Sequence, residues 1–179
     1  MKFLISLLLA FSTIALAGPA FKHSEMAVSL NYAGFGFDTA VETIPDGFPV
    51  NLTQAQGKGS FGKSSLAITV EFVPDPGVIG NCPEGFDLPF AVVPGNFWAV
   101  TITAADNSQV FGLFNTGWIC LTADTLHYVG ETSGFFIGGN GRFDGASGDW
   151  VSHYEGNNLD ATIGFRSITG DMQGTLYLP

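Results

Sequence analysis

The chain has 179 residues, two cysteines and a formal net charge of −10, from sixteen acidic and six basic residues. Such an excess of carboxylates repels phosphate backbones and anionic membranes, which argues against nucleic-acid or lipid-surface binding. Two cysteines exclude a disulfide-dense miniature scaffold, and the length suits a single domain with a core of its own.

Residues 1–17 read as an export signal. Lys2 supplies a short positive region, residues 3–16 are almost uninterruptedly apolar, and Ala15-Leu16-Ala17 forms an A-x-A cleavage site before Gly18. The run is too short for a membrane anchor, which needs roughly 20 apolar residues. No other stretch is long and apolar enough to span a bilayer, so the expected product is a single domain, residues 18–179, secreted or periplasmic. In that setting Cys82 and Cys120 most simply pair with each other. Such a bond closes a loop of about 38 residues and stabilises by roughly 3–4 kcal/mol.

The remaining chain shows little helical periodicity. Residues 18–26 and 38–49 are the least regular, and residues 18–26 read as a loose leader. Period-two runs then recur between turn signals, the pattern of an all-β protein. Leu66, Ile68, Val70 and Phe72 alternate with Ala67, Thr69, Glu71 and Val73 before Pro74-Asp75-Pro76-Gly77. Residues 75–89 read as a long loop pinned by the disulfide. Residues 97–103 and 109–114 flank Asp106-Asn107, a hairpin signal, and further strands are predicted over 117–122, 126–137, 149–155, 160–167 and 172–178. Seven to nine short strands, 24 glycines and 17 phenylalanines suit a small closed barrel or a tight sandwich. Closure removes exposed sheet edges, and large aromatics fill or line the interior.

Several motifs fail on context. Residues 57–64 match G-x-x-x-x-G-K-[ST] and begin with G-x-G-x-x-G. Both patterns need a strand before and a helix after, to aim N–H groups at phosphates. The alternating run from Leu66 predicts a strand instead. His23, His127 and His153 form no metal-binding pair, and no G-x-S-x-G elbow is present. No metal or cofactor is therefore expected. Asn51-Leu52-Thr53 is a glycosylation sequon.

The positive signal is aromatic. Trp98, Phe114, Phe135, Phe136, Trp150 and Tyr154 all lie on predicted strands. One reading is ordinary core; the other is an apolar pocket with a few polar groups, such as Glu71, Tyr128 or Glu131. The expected ligand-binding residues are thus Trp98, Phe114, Phe136, Trp150, Tyr154, Glu71, Tyr128 and Glu131. Strand parity places Trp150, Ser152 and Tyr154 on one face, and the aromatics favour that face as the inner one.

Residues 138–148, Gly-Gly-Asn-Gly-Arg-Phe-Asp-Gly-Ala-Ser-Gly, join two aromatic-rich runs and predict a tight connection with a kinked strand start. This block resembles the G-G-x-G-x-F-x-G-A-x-G signature of allene oxide cyclase-like and dirigent-like barrels. Gly57 to Phe61, Gly164, Ile168-Thr169-Gly170 and Gly174-Thr175-Leu176 resemble other strands of that superfamily. The resemblance implies one closed or nearly closed antiparallel barrel of about eight strands with an apolar cavity open at one end. It implies a small apolar ligand, such as a lipid, terpenoid or phenolic. Any enzyme on this scaffold would be a cyclase or isomerase acting without a cofactor, and plant relatives assemble as trimers or dimers. No catalytic residue carries over. The alternative is a non-enzymatic extracellular protein with a solid aromatic core that binds a partner through its outer face.

Overall fold

The structure, a computed structural model, describes residues 24–39, 41, 43, 49–93 and 98–179. The predicted signal segment and His23 lie outside the described residues. Ten strands make one antiparallel sheet: β1 (Ser24–Asp38), β2 (Asn51–Gly59), β3 (Gly62–Val70), β4 (Phe72–Pro74), β5 (Leu88–Val92), β6 (Ala99–Ala104), β7 (Gln109–Leu121), β8 (His127–Asn140), β9 (Ser147–Asp160) and β10 (Phe165–Leu178). The order β1-β2-β3-β6-β7-β8-β9-β10 closes on itself through the β1–β10 pairing, giving an eight-stranded barrel. The fold expectation holds.

The two short strands continue barrel staves. β6 pairs with Gln109–Leu113 of β7, and β5 pairs with Trp118–Leu121 further along the same edge. β4 follows β3 after a break at Glu71 and pairs with β5. Two staves are thus interrupted at the same level of the barrel. A second, smaller core of Val50, Val70, Val92, Val93 and Trp98 packs there.

Several sequence expectations are corrected. Residues 161–164 form the β9–β10 turn rather than part of a strand over 160–167. The run 66–73 breaks at Glu71, and 109–114 with 117–122 is one strand carrying a bulge between Phe114 and Thr116. The segment 75–89 contains a 3-10 turn, Pro76–Asn81, and the start of β5. β1 and β2 are long strands where no alternation was read, and β1 takes in residues 24–26.

Cys82 and Cys120 form a disulfide, with Cα atoms 5.6 Å apart. It ties the 3-10 segment to the outer side of β7.

The two ends differ. At one end the 138–148 block turns β8 into β9 through a 3-10 turn at Gly141–Phe143. Gly141 has φ +60°, and a Cβ there would lie 2.4 Å from the Ser108 hydroxyl. Gly148 has φ +146°, with the Thr175 carbonyl where its Cβ would go. Glycine is therefore required at both positions. The turn drops the Phe143 ring into the barrel end, edge-on to Phe61 at 5.5 Å, with the Arg142 guanidinium 4.6 Å above it. Both rings are fully buried, so this end is plugged. Residues 57–64 are the β2–β3 hairpin beside it, strand on both sides, so no phosphate loop forms.

Candidate functional site

Among the described residues the opposite end is open. Inward-facing residues there alternate along each stave, as the pleat dictates. Behind the plug the interior is filled by Leu30, Leu66, Ile102, Val110, Phe136, Trp150, Met172 and Leu176. Towards the open end a chamber of about 40 Å³ remains, walled by residues including Ile68, Phe114, Ile119, Tyr128, Trp150 and Tyr154. That space has room for about three or four waters at roughly 10–15 Å³ each. Beyond it a mouth of about 210 Å³ is lined by Phe72, Phe90, Ile119, Leu121, Asn51 and Arg166, among others. Arg166, Asn51, Phe72 and Ile119 line both spaces and form the neck between them.

Polar groups converge at the neck. The Arg166 guanidinium pairs with the Asp38 carboxylate at 2.5 Å, and each side chain is about one-fifth exposed. Arg166 Nε also donates to the Gly164 carbonyl at 3.2 Å. Asn51 Nδ2 donates to Asp38 Oδ1 at 3.2 Å, and Thr53 Oγ1 donates to Asn51 Oδ1 at 2.8 Å. The charge is locally neutralised where Arg166 lines both spaces. Asn51 is buried, so the sequon it begins is closed to a glycan in the folded protein.

Three tyrosines supply the deeper polar wall. Tyr128 Oη donates to the Ser167 carbonyl at 2.6 Å, and Tyr154 Oη to the Trp118 carbonyl at 3.3 Å. Ser152 Oγ donates to the Asp171 carbonyl at 2.7 Å, which leaves it accepting from Tyr32 Oη at 2.8 Å. Burial pushes the Tyr32 phenol up to about 12, opposed by the Ser152 hydrogen bond and assisted by the Asp171 charge. Burial also raises Tyr128 and Tyr154, the latter well above the ordinary phenol value. All three are neutral hydrogen-bond donors at physiological pH.

Phe114, Trp150, Tyr154 and Tyr128 come together on the chamber wall, and the Phe114 ring meets the Trp150 indole edge-on at 5.0 Å. Trp150 and Ser152 are buried while Val151, His153 and Glu155 face out, so the inner face is the aromatic one. Phe136 belongs to the filled core nearer the plug, and Trp98 to the smaller core at the stave break. The two glutamates do not line the cavity. Glu131 faces outward, because parity with inward Tyr128, Gly130 and Thr132 forbids otherwise, and its carboxylate lies 3.1 Å from His153 Nε2. Glu71 is fully buried at the stave break, where it accepts from the Thr43 amide at 3.1 Å and from the Thr43 hydroxyl. It anchors the β1–β2 connection instead of facing a ligand.

Sequence reasoning missed Asp38, Asn51, Thr53 and Arg166. Parity held the signal for Arg166: it lies two residues before Ile168 and six before Met172, both inward. Among the described residues no cluster of histidine, cysteine, aspartate or glutamate could hold a metal ion, and no helix is long and apolar enough to cross a membrane. Comparison with models of known protein families, with curated proteins and with solved structures gave no match.

Proposed function

We propose that this protein is an exported barrel that takes a small, uncharged, largely apolar molecule into its open end. The observation that carries the reading is the neck, where apolar walls meet the hydrogen-bonding groups of Arg166, Asn51 and Thr53. A few placed polar groups on apolar walls are the usual make-up of a small-molecule site. The Arg166–Asp38 pair already cancels its own charge, so an anionic head would add an uncompensated charge at a partly desolvated place. A single carbonyl or hydroxyl oxygen fits better, received by the guanidinium edge. The mouth is smaller than the roughly 300 Å³ at which drug-sized sites begin. This sets the scale of a monoterpenoid or simple phenol rather than a folded lipid. The likeness of residues 138–148 to allene oxide cyclase-like barrels supports a container in the same sense, and no residue here is given a catalytic role.

A second reading has its own support. The inner chamber of about 40 Å³ is close to solid, as expected of a barrel whose aromatics are core and whose outer face binds a partner. Native mass spectrometry of freshly purified protein, with thermal shifts over terpenoids, phenols and lipids, separates the two. A bound small molecule, or a shift that Arg166→Met abolishes, supports the container. No bound species and no shift across the panel leaves the filled barrel.

A further inference from the structure

The open end carries an apolar rim that the filled interior does not need. Leu126, Leu159 and Ile163 are 51%, 53% and 59% exposed, and Phe37 and Val41 are also exposed. Each of the first three follows or precedes a residue of the mouth: Thr125, Asn158 and Gly164 respectively. Phe37 precedes Asp38 in the same way. The connections that bear them are held in place. The Asn158 amide donates to the Leu126 carbonyl at 2.8 Å, and Asp124 and Asp160 cap their own turns by accepting from the Leu126 and Thr162 amides. The tips are therefore preorganised, and they lie beside the mouth of the apolar cavity.

The charge around them is selective. Of the described basic residues, Lys58, Lys63 and Arg142 sit at the plugged end, and Arg166 is paired to Asp38. The rim itself carries Asp124 and Asp160. Among the described residues an anionic bilayer finds no free lysine or arginine there, and two open ends facing each other repel. Leu159 and Ile163 flank the β9–β10 turn and Leu126 sits beside them, bonded to Asn158, so the tips form one small patch of a few side chains, far short of the roughly 800 Å² a side that a stable protein interface buries. A lipid surface accepts such a small patch, because the acyl boundary has no fixed shape to match.

We propose that the open end of the barrel docks on a neutral lipid surface, seating its mouth where a water-insoluble ligand is stored. The proposal rests on the container reading, since it explains why the apolar tips lie beside the mouth. The test is flotation of the full exported protein with vesicles of pure phosphatidylcholine and with vesicles that also contain phosphatidylserine. The protein partitions onto phosphatidylcholine, and more weakly once phosphatidylserine is added. Combining Leu126→Ser, Leu159→Ser and Ile163→Ser weakens partition by at least about tenfold, since three apolar tips leave the interface. Phe135→Ser with Ile137→Ser, equally exposed residues on the outer wall of β8, leaves it unchanged.

Absence of partition, equal loss in both variants, or preference for the anionic vesicles overturns the docking. Concentration-dependent self-association that the triple variant abolishes overturns it in favour of a second copy. Thermal shifts with the small-molecule panel are read on the same samples. If they persist in the triple variant while vesicle binding never occurs, docking fails and the container stands. If vesicle binding occurs as described but no ligand ever shifts the wild type, the container reading fails instead.

Discussion

The phenol ring of Tyr154 occupies the space that a side chain on Gly130 would need. The two residues are register partners on β9 and β8, and a Cβ on Gly130 would lie 2.6 Å from Cζ of the ring. The same relation recurs at Tyr32 over Gly170, Tyr128 over Gly156 and Trp150 over Gly134. Each large inward ring is set against a cross-strand glycine, so a narrow barrel accommodates rings that four ordinary neighbours would expel. Abundant glycine and abundant aromatics are therefore one feature.

Gly130→Ala tests that relation. The new methyl meets the Tyr154 ring on one side and the Trp118 carbonyl, also at 2.6 Å, on the other. Neither the backbone nor a hydrogen-bonded ring moves freely, so the variant loses about 1–3 kcal/mol, the usual range for overpacking. At this size each kcal/mol lowers Tm by roughly 2–4 °C. Gly80→Ala, where nothing lies within 4 Å of the added atom, changes stability by less than about 0.5 kcal/mol. Calorimetry on both variants checks the contrast, and equal melting temperatures would remove the packing argument.

The disulfide makes a second prediction. Cys120 is fully buried on β7 and holds the 76–81 turn through Cys82. Replacing both cysteines by alanine frees a loop with a sequence separation of 38. The loop-entropy relation gives a loss of about 4 kcal/mol. Urea unfolding of the double variant measures it, and the wild type unfolded under reducing conditions gives a similar midpoint shift.

How much of this was legible depended on which side of a strand the apolar residues lie. Residues 149–155 and 66–70 keep apolar groups inward, so alternation betrayed both the strand and its face. β1 and β2 invert the signal at the open end. Their inward positions are Gly34, Gly36, Asn51, Thr53 and Ala55, while Phe35 and Phe37 face solvent. Alternation read there points the wrong way, and the strands went unseen. The neck was hidden for the same reason: an arginine, an aspartate and an asparagine look like surface until register with Ile168 and Tyr32 turns them inward. Glu131 shows the converse error, since chemistry suggested a site where parity excluded one.

The buried phenols predict a loss of stability in alkali. Burial raises Tyr32 from 10.0 to about 12 and also raises Tyr128 and Tyr154 above the ordinary phenol value. Above pH 10 the unfolded chain releases these protons and the folded chain keeps them, so the unfolded state binds fewer. Stability from these groups is complete below pH 10 and falls as pH rises through about 12. Urea midpoints at pH 9 and pH 11, with tyrosinate absorbance followed in parallel, should show unfolding and ionisation together. Ionisation of all the tyrosines near pH 10 without loss of structure would contradict the burial.

Arg166 and Asp38 permit binding and stability to be separated. Arg166→Met leaves the Asp38 carboxylate four-fifths buried with only the Asn51 amide to compensate it. Removing one member of such a pair costs about 2–3 kcal/mol, below the roughly 3–5 kcal/mol of a fully buried pair because some solvent reaches it. Adding Asp38→Leu removes the stranded charge, and the double variant recovers most of that loss. The ligand responds differently, because the guanidinium edge that receives its oxygen is gone from both variants. Equilibrium unfolding should therefore show a deficit in the single variant that the double repairs, while thermal shifts with the small-molecule panel stay lost in both. Restored ligand shifts in the double variant would mean that Arg166 holds the neck together without touching what enters it.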